Sequence, residues 1–465
     1  MSQPIYLTSD IRRIEQAAGS VSPTLMERAG AAAADLAATL LPDTGKDVLV
    51  LAGPGNNGGD ARIVARILQE KFFRVSLADK MEEIPKSIRW NLVIDGLFGI
   101  GLARPLEGGY AKLVEFVNAQ SCPVLALDIP SGLHSDTGQI LACAVRATHT
   151  ITFIGLKPGL LMLDGPDYCG QVSIADLSLK STATKTENGW VAQPEMFAHV
   201  LKSRPRNFHK GMSGSLAVIG GAAGMVGAAL LAARAGLKLG AGRVYAGLLE
   251  ELSLDPCAPE LMLRHPDDVL GLDLDAIVIG PGLGDGERAE TLLGAVLASD
   301  IPCVLDADAL NLIAGNADLR KACARRSADT LLTPHPAEAA RLLAESTVQV
   351  QVDRLKAARA LSDNLRAHVV LKGNGSIIVA RDGHWFINGS GNSGMASAGM
   401  GDVLSGILGA LLAQKISGES ALVLGTHLHG CAADECARTG AGPVGLAAGE
   451  LIEPARRIWN RWLGN

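Results

Sequence analysis

The sequence predicts an α/β protein built as two three-layer α/β domains, and three observations carry that expectation. Short apolar runs recur, each closing on a glycine- or acid-rich turn and leading into helical spacing, the order that builds parallel sheets covered on both faces. Residues 177–193 break the series with Ser, Thr, Lys and Gly and no periodicity, which reads as a linker and sets the domains at 1–190 and 191–465. At 465 residues with 48% hydrophobic content, the chain exceeds what one core ordinarily holds.

Composition narrows the partners. A net charge of −6 without a basic run, and 4% aromatic residues, argue against nucleic acid, which needs cationic grooves and stacking surfaces. The eight cysteines contain no Cys-x-x-Cys pair, so neither a zinc site nor a disulfide framework is expected. MSQPIYLTSDIRRIEQAAG at the start lacks the apolar core of a signal peptide, and no apolar run has the length of a membrane span. A cytoplasmic protein with no membrane partner is expected.

In the first domain, residues 9–18 and 22–41 have helical spacing. Residues 47–52 read as a buried strand, 53–60 (GPGNNGGD) as a loop and 61–71 as a helix, the phosphate-binding order of a doubly wound sheet. The loop departs from Gly-x-Gly-x-x-Gly. Its two Asn and one Asp suit a ribose, a cation or a carboxamide as readily as a phosphate, and turn geometry with a helix cap is the plainer alternative. Strands at 90–95 and 123–128 follow, the second running into Ile129-Pro130-Ser131-Gly132, and 170–175 is a further strand. Ligands of open α/β sheets bind beyond the carboxyl ends of the strands, so Asn57, Asp95, Asp128 and Ser131 are expected to face one crevice, where their oxygens could hold a hard cation.

The second domain opens with a strand at 214–221 ending in glycines and a helix at 227–240 whose alanines allow close packing on a sheet. Strands at 276–280, 303–306, 330–333 and 369–372 each end in a small or polar cluster: Gly280 to Gly284, Asp306 to Asn311, Thr333 to Glu338, and Lys372 to Ser376. Four such ends in one sheet make a rim, hence a site. His335, between two prolines, is held extended and is read as a ligand contact. Lys372 could neutralise nucleotide phosphates, and Asp306 and Asp308 could position magnesium through water. His427 and His429 fall on different faces of a helical stretch and are read as structural.

Near the C-terminus, GSGNSGMASAGMGDVLSG (389–406) runs into an apolar helical series. Backbone N–H groups and the positive end of a helix can converge there on an anion, with Asp402 at its edge as the base that takes a proton from an attacking hydroxyl. The alternative is an ordinary loop with Asp402 as N-cap.

Gly399-Met400-Gly401-Asp402 resembles the anion-hole signature of ribokinase-like kinases. More narrowly, HKGMSG, GPGLG, DADALN, TPHPAEAARLL, LKGNGS and GMGDVLSG, in that order over roughly residues 200–460, are similar to the nucleotide-dependent NAD(P)H-hydrate dehydratases. GPGNNGGD, DGLFGIGLARP and ALDIPSGLHSDTG, over roughly 5–175, resemble the NAD(P)H-hydrate epimerase domain. Met400 stands where the dehydratase family usually has Thr; Ala61 and Ile100 replace the epimerases' usual Gly and Thr.

The resemblance implies a Rossmann-like N-terminal and a ribokinase-like C-terminal domain that together repair hydrated nicotinamide cofactors. It implies potassium (K+) on Asn57, Asp95 and Ser131. The nicotinamide nucleotide pocket would be lined by Asn56, Asn57, Gly58, Gly59 and Asp60 and by Gly99, Ile100, Gly101, Leu102, Ala103, Arg104 and Pro105, with Asp128 at the reacting carbon. In the second domain Ala229, Gly282 and His335 would contact the hydrated nucleotide. Lys372, Gly373, Asn374, Gly375, Ser376 and Gly401 would lie against ADP or ATP with magnesium (Mg2+), and Asp402 at the reacting hydroxyl. The expected partners are NAD(P)H hydrates, ADP or ATP, and further copies of the chain as a homo-oligomer. The alternative function is a ribokinase-type small-molecule kinase fused to a nucleotide-binding regulatory domain.

Overall fold

The computed structural model describes residues 3–19, 21–41, 46–179, 189–207, 209–440 and 442–464. Most of the expected linker, 180–188, lies outside the described residues, and Gly189–Val191 at its end is a strand. The chain divides into two compact units, Gln3–Trp190 and Val191–Asn465.

The first unit holds a parallel sheet of β1 (Asp47–Ala52), β2 (Arg74–Ala78), β3 (Leu92–Gly96), β4 (Val124–Leu127), β5 (His149–Phe153) and β6 (Gln171–Ala175), in the order β2-β1-β3-β4-β5-β6. Alternate residues of β1 enter different cores. Val48 and Val50 pack with Ala33, Val64 and Leu68, whereas Leu49 and Leu51 pack with Leu113 and Val117 on the other face. The chain leaves β1 to one side for β2 and crosses to the other for β3, so the loops after β1 and β3 diverge and open a crevice.

Helices α1 (Thr8–Ala18) and α2 (Leu25–Leu40) precede the sheet, and α3 (Asn56–Glu70) follows β1. Thr24 caps α2, its Oγ1 accepting from Glu27 N at 3.2 Å. Helix α3 starts earlier than the sequence suggests, because Gly58 and Gly59 are packing residues rather than turn residues. A Cβ on Gly58 would stand 1.9 Å from Gly53 O, and one on Gly59 2.7 Å from Met26 Sδ.

In the second unit β7 (Ser215–Gly220), β8 (Arg243–Leu248), β9 (Met262–Arg264), β10 (Ala276–Ile279), β11 (Cys303–Leu305), β12 (Thr330–Leu332) and β13 (His368–Leu371) are parallel, and β14 (Ser376–Val379) and β15 (Trp385–Asn388) extend the sheet antiparallel. The order β15-β14-β13-β12-β11-β10-β7-β8-β9 makes β13, β12, β11 and β10 neighbours, so their carboxyl ends form the expected rim.

Helices α4 (Val226–Lys238), α5 (Pro336–Leu343), α6 (Met400–Ala413) and α7 (Gly418–Thr439) pack around this sheet. Glycines let α6 approach closely: a Cβ on Gly406 would stand 2.1 Å from Ala232 O, and one on Gly409 2.4 Å from Val278 Cγ2. Among the described residues no helix is long and apolar enough to cross a membrane.

Candidate active sites

In the first unit a cavity of about 560 Å³ lies where the loops after β1 and β3 diverge. Asn56, Asn57 and Asp60 of α3, Gly99, Ile100, Gly101 and Leu102 after β3, and Asp128 after β4 line it, whereas Gly58, Gly59, Ala103, Arg104 and Pro105 do not. Helices α1 and α2 add Arg12, Glu15 and Met26, which no loop motif flags.

Gly99 leaves room for two functional side chains, because a Cβ there would stand 3.3 Å from both Asn57 Cγ and Asp128 Oδ2. Asp128 itself has φ +66°, a left-handed backbone that favours glycine. Its Oδ1 accepts from Lys157 Nζ at 2.5 Å. The Lys157 side chain is fully buried and also donates to Thr152 Oγ1 at 2.8 Å and Phe153 O at 2.7 Å. Sequence reasoning missed Lys157; its place four residues after β5 carries no motif.

Asp95 and Ser131 do not face the cavity as expected. Both are fully buried beneath its floor, where the Asp95 carboxylate accepts from Ser131 Oγ at 2.7 Å, Ser131 N at 2.8 Å and Leu97 N at 3.2 Å. Ser131 Oγ in turn accepts from Phe98 N at 2.9 Å. Chain donors thus satisfy Asp95, yet burial still raises its pKa. Asn57 differs: its amide oxygen and nitrogen are buried and have no partner.

Burial, then the charges of Asp128 and Glu15, push the Asp60 pKa up to about 8, so Asp60 carries a proton at neutral pH. Burial and then Asp128 raise Glu15 as well.

In the second unit Asp402 lies in the first turn of α6, whose N-cap is Gly399 at φ +85°. The N-cap assignment for Asp402 therefore does not hold; a left-handed residue is needed there and glycine supplies it. Burial, then Asp306, raises the Asp402 pKa to about 6, against the pull of Lys372. Asp306 is buried between Lys372 Nζ at 3.1 Å and Ser405 Oγ at 2.7 Å. Burial favours its neutral form, but Lys372 and the hydroxyls outweigh that and hold its pKa low. Lys372 keeps a raised pKa despite its own desolvation, through Asp306, Glu338 and Asp402.

Other predicted residues gather on the rim. Gly282 has φ +59° and Gly284 N donates to Asp308 Oδ2 at 2.8 Å. His335 is the N-cap of α5, with Nδ1 accepting from Ala337 N at 3.1 Å, while about half of its side chain stays exposed. It thus holds its own helix and still presents a ring face. Ala229 is fully buried under Gly220 and Gly221, so its methyl group packs rather than faces the rim.

The loop Lys372 to Ser376 is held by Arg354, a buried side chain whose Nη1 donates to Asn374 O at 2.6 Å and Nη2 to Leu371 O at 3.2 Å. No motif marks Arg354. His427 stacks on Trp462 and pairs with Asn388 Oδ1 at 3.2 Å, and His429 is buried, consistent with structural parts for both.

The family model described as YjeF-related protein N-terminus matches residues 22–92 and 73–159, and the one described as NAD(P)H-hydrate dehydratase matches 216–454. The bifunctional NAD(P)H-hydrate repair enzyme Nnr of Escherichia coli (strain K12) is 38% identical, over 98% of this chain and 94% of that protein. The enzyme of the same name from Coxiella burnetii is 36% identical, over 98% of this chain and 99% of its own. Among solved structures, the ADP/ATP-dependent NAD(P)H-hydrate dehydratase of Bacillus subtilis co-crystallised with ATP/Mg2+ is similar at 28% identity and a TM-score of 0.52, covering 58% of this chain and 98% of that one.

Proposed function

The chain belongs to the family of bifunctional NAD(P)H-hydrate repair enzymes, and on that premise we propose how its two sites divide the work. The first unit interconverts the R and S forms of the hydrate, and the second uses a nucleotide to dehydrate the S form to NAD(P)H. The observation that carries the reading is the placing of Asp402 in the first turn of α6 beside the Lys372–Asp306 pair.

Hydration puts a hydroxyl on the ring carbon beside the ring nitrogen. In the second unit Asp402 accepts that hydroxyl's proton as the oxygen bonds to the terminal phosphoryl group of ADP or ATP and the bond to the nucleotide's bridging oxygen breaks. The α6 N–H groups and Lys372 stabilise the charge on the transferring group. Phosphate then leaves with the carbon–oxygen bonding pair, a proton leaves the adjacent carbon, and the ring double bond is restored. Asp306 is committed to Lys372 and Ser405, so Asp308, one of whose oxygens accepts from Gly284 N, is the carboxylate that would help hold magnesium. That ion would neutralise phosphoryl oxygens.

In the first unit Asp128 accepts the hydroxyl proton, the carbon–nitrogen bond opens to an aldehyde, and Asp60 protonates the ring nitrogen. Closure on the opposite face reverses each transfer. Asp60, protonated at neutral pH, suits the acid part. Asn57, Asp95 and Ser131 would hold potassium, a reading supported by the partnerless buried amide of Asn57 and the buried carboxylate of Asp95; the ion would supply fixed positive charge near the hydroxyl.

The test is to incubate the purified chain with both NADH-hydrate epimers and follow recovery of reduced-nicotinamide absorbance with ADP, with ATP and with neither, subtracting spontaneous epimerisation. Complete recovery that needs nucleotide and is lost in Asp402→Asn is expected. No recovery with either nucleotide would sink the reading, and a retained phosphorylated product would favour a small-molecule kinase.

A further inference from the structure

Asp128 presents its two carboxylate oxygens to different surroundings. Oδ1 is turned into the protein, where Lys157 Nζ lies 2.5 Å away and Phe153 N 3.5 Å away. Oδ2 is the oxygen that a Cβ on Gly99 would meet at 3.3 Å, on the cavity side beside Asn57. A free aspartate rotates about its last torsion with little preference, so some contact must hold this division. The backbone contributes by placing Asp128 at φ +66°, anchored by its N–H donating to Ile151 O at 2.7 Å.

Lys157 is equipped for that task. Its ammonium has three hydrogens and three acceptors: Asp128 Oδ1, Thr152 Oγ1 and Phe153 O, the last two belonging to β5. An ammonium satisfied on every side cannot swing into the cavity to touch substrate, and its side chain is wholly buried. Its charge can act only through the carboxylate it holds. A lysine that merely stitched β5 to its following turn would have no need of an acid that lines the cavity.

We propose that Lys157 is the positioning residue of the first unit: it pins one oxygen of Asp128 so that the other is the base offered to the hydrated ring. The proposal rests on the reading of Asp128 as that base. It also explains how a carboxylate crowded by Glu15 and Asp60 on the cavity wall stays aimed, since Lys157 pairs with it from behind.

The experiment measures epimerisation by the full-length chain carrying Lys157→Ala, with and without added n-propylammonium or n-propanol. The expected result is a kcat about 100-fold lower with KM for the hydrate within about threefold, because aim is lost and binding is not. Propylammonium should restore kcat at least about tenfold, propanol should not, and the ammonium should do nothing for the Asp128→Asn, Lys157→Ala double variant. A kcat within about threefold of the parent, or equal rescue by propanol, overturns the proposal. If Lys157→Ala does not fold by circular dichroism, Lys157→Arg and Lys157→Gln replace it: the arginine variant should keep about a tenth of kcat and the glutamine variant under about a hundredth, and equal losses overturn the proposal. Asp128→Asn alone separates the two layers, since epimerisation at the parent rate in that variant removes the base itself, whatever the lysine variants do.

Discussion

The Lys372 ammonium occupies space that a side chain on Gly401 would need: a Cβ there would lie 3.0 Å from Nζ and 3.6 Å from Asp306 Oδ2. The glycine is therefore required by a neighbour rather than by its own backbone, since alanine favours a helical turn. Gly401→Ala should leave thermal stability unchanged or slightly higher while moving the cation off the first turn of α6. A loss of about 100-fold in dehydratase kcat/KM with epimerase activity intact is expected, read by the nucleotide-dependent recovery assay.

Asp402 must be ionised to accept a proton, and burial with Asp306 nearby raises its pKa to about 6. Dehydratase kcat/KM should therefore fall about tenfold per unit below pH 6 and level off above about 7. Lys372 pulls in the opposite direction, stabilising the carboxylate. In Lys372→Met the acidic limb should move to higher pH; a limb that stays put would mean another group controls it.

Asp60 gives a stability signature of opposite sign to that of a paired acid. Its folded pKa of about 8 exceeds the unfolded value of about 3.9, so its protonated form favours folding at low pH and that contribution fades as pH rises toward 8. Asp60→Asn cannot ionise. The melting temperature of the first unit in the variant should overtake the parent's between pH 5 and about 8.5, as followed by calorimetry.

Asn57 makes potassium testable without turnover. A buried amide with neither atom partnered should gain most from an ion, so potassium chloride should raise the melting temperature over choline chloride at equal ionic strength. Asn57→Leu should abolish that difference. The same rise in the variant would place any cation elsewhere.

What the sequence made legible was whatever is local. Strands such as Ala276–Ile279 were readable as apolar runs ending in glycine, and parallel neighbours then bring the ends of β10 to β13 together. Strand β2 escaped because it lies at the sheet edge with a half-exposed pattern, and β5 because threonines interrupt its apolar run. The GPGNNGGD stretch looked like a loop, since glycine is a poor helix former; the sequence does not contain the Gly53 and Met26 contacts that crowd Gly58 and Gly59. Lys157 was invisible for a related reason. Its partner is 29 residues away, and only the fold makes them neighbours.

Arg354 is the hardest case, a buried cation that donates to Leu371 O at the end of β13 and to Asn374 O in the loop that follows, from 17 and 20 residues away. Desolvation lowers its pKa only to about 10, so it remains charged at neutral pH. Gly373, at φ +148°, leaves room for it: a Cβ there would stand 2.7 Å from Arg354 Nη2. Arg354→Met keeps the bulk and removes the donors to Leu371 O and Asn374 O, costing about 3 kcal/mol in a urea titration. With the loop no longer held, nucleotide KM should rise at least about tenfold while the hydrate's KM moves little. Gly373→Ala pushes on the same guanidinium from the other side and should reproduce the split. If Arg354→Met loses stability but keeps its nucleotide KM, the arginine supports the fold and not the loop's grip on its ligand.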